Sequence, residues 1–276
     1  LKRIVTAALL AVFMFMLLPA QETTAETETE SMKRPSPFRG FLRDAGQIWT
    51  YPLHIKAKDI AWLVAIAGTT TILIANDEGI YREIKRIQAD NAWIDRSSPV
   101  LSAMCEGYPF AVGGLFLAHG LILRDPKSLD TGALALQAMV HSFLVVQVVK
   151  HLSGRQRPSW DGQDVWHGPY GFGRRYSEGF AKYDAFFSGH TVTIWSLATV
   201  LAHQYRGWVG PIAYATAALA GMATVTEDLH WVSDVLVGAA IGYAIGRLVC
   251  LNRRRDLRIL PQIGPNRIGI GVSYAF

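Results

Sequence analysis

Residues 131–149 read TGALALQAMVHSFLVVQVV, and Lys150 closes the run. The stretch carries no formal charge and approaches the roughly 20 residues that a helix needs to cross a bilayer. Its Gln137, His141 and Gln147 are more polar than a lipid-facing helix tolerates, so they are expected to face the interior of a bundle. Comparable apolar runs lie at about 60–76, 99–122, 190–204, 210–225 and 233–250, some near spanning length and some shorter. Glu106 and His119 in the run 99–122 carry the same expectation of facing inward. Six runs predict an all-α fold, a six-helix membrane bundle core. In the last run Gly238, Gly242 and Gly246 recur every four residues, a smooth ridge against which a neighbouring helix can pack closely.

Composition agrees with a membrane setting. Half of the 276 residues are apolar and 18% are charged, below the quarter typical of soluble domains. The net charge of +5 is diffuse; it suits an anionic lipid surface or a phosphorylated ligand, and equally suits plain solubility. No nucleic-acid partner is expected. Cys105 and Cys250 sit in or at the end of apolar runs, so buried packing is a better reading than a disulfide or a thiolate metal site.

The flanks divide by composition. Residues 1–20 hold Lys2 and Arg3, an apolar stretch from Ile4 to Leu18, then Pro19 and Ala20, which reads as a signal peptide or anchor. Residues 21–40 form a linker whose Glu22, Glu26, Glu28 and Glu30 make it too polar to bury. Residues 41–58 mix Leu42, Ile48 and Trp49 with Arg43, Lys56 and Lys58, as an amphipathic segment at a membrane surface does, although a soluble amphipathic helix fits as well. The helical membrane domain covers residues 59–251. In the tail, 252–276, the stretch from Arg267 alternates like a β-strand, and one strand cannot close a barrel. Between Trp160 and Tyr183 aromatic residues alternate with glycines, suiting either a membrane interface that guides a lipid chain or a self-packed loop.

Three short segments carry the chemistry. The first is Lys150-His-Leu-Ser-Gly-Arg155-Gln-Arg157-Pro158. On a continuing helix Lys150 and Arg157, two turns apart, share one face; Pro158 argues that the helix ends at Arg157. A lysine offers a point charge and an arginine a planar fork for phosphate oxygens, though both would also serve as interfacial anchors of a membrane helix. The second segment is Phe187-Ser188-Gly189-His190, just before an apolar run. If that run is a helix, its first amides and positive dipole end form an anion site, with Ser188 and Gly189 presenting backbone amides. His190 could equally be a simple helix cap. The third is His230-Trp-Val-Ser-Asp234, where a spacing of four places both side chains on one helical face. The carboxylate can then accept one imidazole N–H and leave the other nitrogen nucleophilic; a local structural contact is the plainer account.

Order and spacing of these segments resemble the signature patterns of the phosphatidic acid phosphatase type 2 / vanadium haloperoxidase superfamily, Lys-x6-Arg-Pro, Pro-Ser-Gly-His and Ser-Arg-x5-His-x3-Asp, over about residues 130–250. Phe187 stands in place of proline, and Ala223-Thr224 stand in place of Ser-Arg. The resemblance implies that His230 attacks phosphorus, Asp234 fixes and charges it, and His190 protonates the leaving alkoxide. Lys150, Arg157, Ser188 and Gly189 would bind phosphate. It implies a membrane phosphatase acting on a lipid phosphate or polyprenyl pyrophosphate through a phosphohistidine. No metal or other cofactor is expected, because the remaining histidines form no ligand pattern with a nearby acid. The loss of arginine at Thr224 opens two alternatives, a weak or inactive phospholipid-binding protein and a rescue by Arg155, Arg174 or Arg175. A vanadate-dependent haloperoxidase is the third reading, opposed by six apolar runs. A bacterial inner membrane is the expected location. Arg124, Lys127, Arg206 and Arg253 to Arg255 on the side opposite the site predict a periplasmic active site, whereas a cleaved signal peptide would argue for the reverse.

Overall fold

The computed structural model describes residues 37–158, 182–205, 207–264 and 267–274. The signal or anchor segment, nearly all of the linker and most of the aromatic loop, with Arg174 and Arg175, lie outside the described residues. The chain divides into two compact units, residues 1–54 with 248–276, and residues 55–247.

In the first unit, helix α1 (Pro37–Thr50) runs into a 3-10 turn at Tyr51–Leu53. Asn252 donates from Nδ2 to Asp44 at 2.7 Å and to Gln47 at 2.8 Å. The tail is a hairpin, with β1 (Leu257–Gly264) antiparallel to β2 (Arg267–Tyr274) and Leu257 opposite Tyr274. The alternating pattern from Arg267 therefore marks the second strand of a pair. Pro261 in β1 removes a ladder donor and hid the first strand from sequence reading.

The second unit is built from α2 (Ala57–Asp90), α3 (Ala92–Ala103), α4 (Tyr108–Leu123), α5 (Pro126–Ser153), α6 (Gly189–Gln204), α7 (Val209–Thr226) and α8, which starts at Val232 and continues to Asp256. Helix α5 packs between α4 and α6, and α7 packs on α6 and α3. The glycine ridge of α8 lies on α6: a β-carbon at Gly238 would stand 2.8 Å from the Ser188 carbonyl oxygen, and one at Gly246 would stand 2.8 Å from Thr199 Cβ.

Among the described residues four helices, α2, α5, α7 and α8, are long and apolar enough to cross a membrane, and the bent pair α3 and α4 makes up to five. That differs from six runs of one kind. The run 99–122 breaks at residues 104–107 and bends by 52°, because Pro109 in the first turn of α4 has no N–H with which to continue the preceding helix. Helix α6 has 16 residues and is largely enclosed by its neighbours. Of the polar residues expected inside, His141 is buried and Gln137 and Gln147 are half-buried, but Glu106 in the turn and His119 near the end of α4 are exposed. Cys105 and Cys250 are both buried and form no disulfide.

Candidate active site

Helix α5 opens with Pro126 after the cap Asp125, whose carboxylate accepts from the backbone N–H groups of Lys127 and Ser128 at 3.2 Å. It closes at Gly154, which takes the left-handed conformation (φ 54°), a geometry glycine adopts at little cost. The helix thus ends three residues before Arg157. Lys150 and Arg157 do not share a helical face; they meet across a third residue. Asp184 accepts from Lys150 Nζ at 3.3 Å and from Arg157 Nε at 2.5 Å. Two backbone bonds hold this arrangement, Arg157 N to Lys182 O and Ala185 N to Arg155 O, both 3.0 Å. Burial opposes the charge of Asp184, but the bond from Arg157 and the Lys150 ammonium outweigh it and hold its pKa below the ordinary carboxylate value.

Ser188 caps α6: its Oγ accepts from Thr191 N at 3.2 Å and from Thr191 Oγ1 at 2.9 Å, and it is fully buried. Its own N–H donates to the Asp234 carbonyl at 3.2 Å. The expectation that Ser188 turns its amide toward an anion is therefore not met, because the start of α8 already accepts it. Gly189 keeps room for Lys150, whose Nζ would lie 3.9 Å from a β-carbon at that position. Phe187, at the place of proline in the pattern, is a core residue packed with Val146 and Val192.

His230 and Asp234 are also arranged differently from expectation. His230 precedes α8, and its Nδ1–H donates to the Ala185 carbonyl at 2.8 Å, while Asp234 Oδ2 is 4.0 Å away. A backbone carbonyl, not the carboxylate, sets the tautomer. That leaves Nε2 with its lone pair, 3.1 Å from Nδ1 of His190. Asp234 accepts instead from Trp231 N at 2.8 Å and from Arg155 at 2.7 Å. Burial lowers the pKa of His230 well below the ordinary histidine value, aided by the charges of Lys150, His190 and Arg157. His190 is pushed down to about 4, first by burial and then by Lys150 and Arg157.

Beneath the histidines lies a closed ionic network. The Arg155 guanidinium, 2% exposed, donates to Asp234, Asp77 and Ser233, each at 2.7 Å. Ser233 in turn donates to Asp77 through its Oγ at 2.5 Å and its backbone N–H at 3.2 Å. Burial works against the charge of Arg155, and the Asp234 and Asp77 carboxylates more than offset it and raise its pKa. Arg155 is thus committed to carboxylates, which removes it as a substitute for the arginine missing at position 224. Thr224 itself is fully buried, with Oγ1 donating to the Gly221 carbonyl at 2.7 Å.

The family model of the PAP2 superfamily matches residues 131–257. This part of the chain belongs to the PAP2 superfamily. Every candidate site residue named from sequence lies within the PAP2 segment. A lipid A 1-phosphatase from Porphyromonas gingivalis is 37% identical over 84 residues, a match covering 29% of this chain and 19% of that protein. The chain thus spans about a fifth of that relative's length. Among solved structures, Aquifex aeolicus LpxE is similar at 23% identity and a TM-score of 0.48, over 62% of this chain and 92% of that one. A PAP2 type phosphatidylglycerolphosphate phosphatase from Bacillus subtilis is similar at 21% identity and a TM-score of 0.47, over 84% and 97%.

Asp184 and Asp77 were missed by sequence reading. Asp184 had a faint signal, an acid four residues before Ser188 in an otherwise aromatic stretch. Asp77 opens the charged second half of α2, which runs Asn76-Asp77-Glu78 to Asp90 before the PAP2 segment, so nothing in the sequence sets it apart from its charged neighbours.

Proposed function

We propose that the protein is a membrane phosphatase that hydrolyses a lipid phosphate monoester or pyrophosphate through a phosphohistidine at His230. The observation that carries this reading is the orientation of His230: its Nδ1–H is held by the Ala185 carbonyl, which aims the lone pair of Nε2 toward His190, beside the charges of Lys150 and Arg157.

In the proposed reaction Lys150 and Arg157 exchange Asp184 for the phosphate oxygens and spread the charge of the transition state. His230 Nε2 attacks phosphorus as the bond to the lipid oxygen breaks, and protonated His190 gives that oxygen its proton. Water then attacks the phosphorus of the phosphohistidine, passing a proton to His190, and the P–N bond breaks to release phosphate and restore neutral His230. In the empty-handed enzyme His190 is neutral near pH 7, so the incoming phosphate anion must raise its pKa for it to act as the acid. The arginine at position 155, with Asp77 and Asp234, keeps the segment after His230 in place. The charge comes from Lys150 and Arg157, and the reaction proposed here uses no metal.

The match to a lipid A 1-phosphatase makes a glycolipid 1-phosphate the first substrate to try. A phosphate-release assay with lipid A phosphates, phosphatidic acid, phosphatidylglycerol phosphate and undecaprenyl pyrophosphate, each run against His230→Ala, tests the reading. Release by wild type alone on at least one of them is expected. Release from none favours the binding-protein alternative that Thr224 motivates.

We place the site on the periplasmic face of a bacterial inner membrane. Arg124 and Lys127 flank the start of α5, about 35 Å along that helix from Lys150, and the positive-inside rule assigns their end to the cytoplasm. The exposed positions Leu152 and Trp208 report on opposite ends. In intact spheroplasts an impermeant maleimide should label Leu152→Cys and not Trp208→Cys; the reverse pattern would put the site in the cytoplasm.

A further inference from the structure

Asp77, Tyr81 and Lys85 recur at every fourth position of α2 and so share one face of it. All three engage the segment 226–233 that carries His230. Asp77, 1% exposed, holds Ser233 through both its amide and its hydroxyl and binds Arg155. Tyr81 donates to Asp228 Oδ1 at 2.7 Å and meets the Trp231 ring edge to face at 5.5 Å between centroids. Lys85 donates to the Thr226 carbonyl at 2.7 Å and pairs with Asp228 at 3.0 Å. These contacts bracket His230 on both sides.

The segment needs such a support. Between α7 and α8 it has no regular structure, and Asp228 sits at a positive φ of 59°. On the α7 side its anchor is the Thr224 carbonyl, which accepts from both Leu229 N and His230 N. The side chain at position 224 is a threonine turned back to Gly221, too short to reach into the segment. Beside the bonds of His230 to Ala185, Trp231 to Gln156 and Arg155 to Ser233, helix α2 supplies a further hold from outside the part of the chain that matches the PAP2 family.

We infer that α2 is a splint for the nucleophile, with Asp77, Tyr81 and Lys85 as positioning residues that keep Nε2 of His230 in line with the phosphate. The inference rests on the reading that His230 is the nucleophile. A displacement of about 1 Å in such a group costs on the order of a hundredfold in rate, so partial loosening has a measurable effect.

The test uses Tyr81→Phe, which removes one hydrogen bond, and Lys85→Met, which removes the bond to Thr226 and the ion pair with the partly exposed Asp228, with Lys85→Arg as the conservative control. Kinetics of the full-length enzyme are measured on a lipid phosphate that wild type hydrolyses, and hydrogen–deuterium exchange is followed in 226–233 and in 131–149. Both variants should lose kcat by on the order of tenfold, with KM within about twofold of wild type. Exchange should rise in 226–233 and stay level in 131–149, and Lys85→Arg should recover most of the rate. Exchange in 226–233 that matches wild type in both variants overturns the splint, and so does raised exchange at undiminished kcat. If wild type hydrolyses no lipid phosphate, the proposed function fails by itself, and exchange alone still decides whether α2 holds this segment.

Discussion

The Nδ1 atom of His190 stands 3.1 Å from Nε2 of His230, so the two imidazoles share one hydrogen-bonded proton and exclude a second. Burial first, and then the charges of Lys150 and Arg157, push the pKa of His190 from 6.5 down to about 4. A histidine whose folded pKa is depressed takes up its proton more readily when unfolded. Its contribution to stability is full above pH 6.5 and is lost as pH falls toward 4. Thermal melts at pH 7 and pH 5 should show wild type losing Tm on acidification, and His190→Gln losing less. Equal slopes would contradict the neutral pair.

Arg155 and Arg157 are two residues apart and should behave oppositely. Arg155→Ala leaves Asp77 and Asp234 buried without their cation, which costs about 3–5 kcal/mol and should appear as poor folding or a much lower Tm. Arg157→Ala touches one partly buried carboxylate, so stability should hold while activity falls by on the order of a hundredfold. Melting curves and phosphate release on the two proteins check this; a stable Arg155→Ala protein would remove the network from the account.

Asp184 lies between Lys150 and Arg157, the place that phosphate takes in the proposed reaction. Asp184→Asn keeps the shape and removes the competing charge. Inorganic phosphate and orthovanadate should therefore inhibit the variant at lower concentrations than they inhibit wild type, by several-fold. Unchanged or weaker inhibition would show that Asp184 helps to form the anion site rather than to fill it.

Thr224 invites replacement by arginine when the chain is compared with the superfamily pattern, and the sequence alone suggests a gain in rate. Its burial argues for the opposite. A guanidinium in a fully enclosed position that threonine fills forces overpacking, at about 1–3 kcal/mol, before the cost of burying the charge is counted. Thr224→Arg should fold poorly or melt lower and gain no activity. A variant with wild-type Tm and a raised rate would show that the pocket has room for the missing arginine.

The three segments were legible because each combines a residue type with a spacing: a lysine and arginine around a chain reversal, a small turn before a helix, and a histidine just before another helix. Helix periodicity misled at two of them. Gly154 ends α5 before Arg157, so the two cations meet through tertiary folding, and His230 lies outside α8, so the spacing to Asp234 does not make them partners. The Ala185 carbonyl that orients His230 could not be read from sequence at all, since any residue offers the same group. The apolar runs located the helices well, but Pro109 divides one of them, and the α6 run has only 16 helical residues. Asp77 was not legible because the motif segments lie within residues 130–250 and α2, which carries it, comes before them.

The central claim is a covalent intermediate on His230. Wild type mixed with a lipid substrate labelled in its phosphate, quenched in alkali within milliseconds and digested, should yield a labelled peptide whose phosphate is stable to base and released by acid. Mass spectrometry should place it on His230, and His230→Ala should trap none. Label on another residue, or full turnover by His230→Ala, would contradict the account.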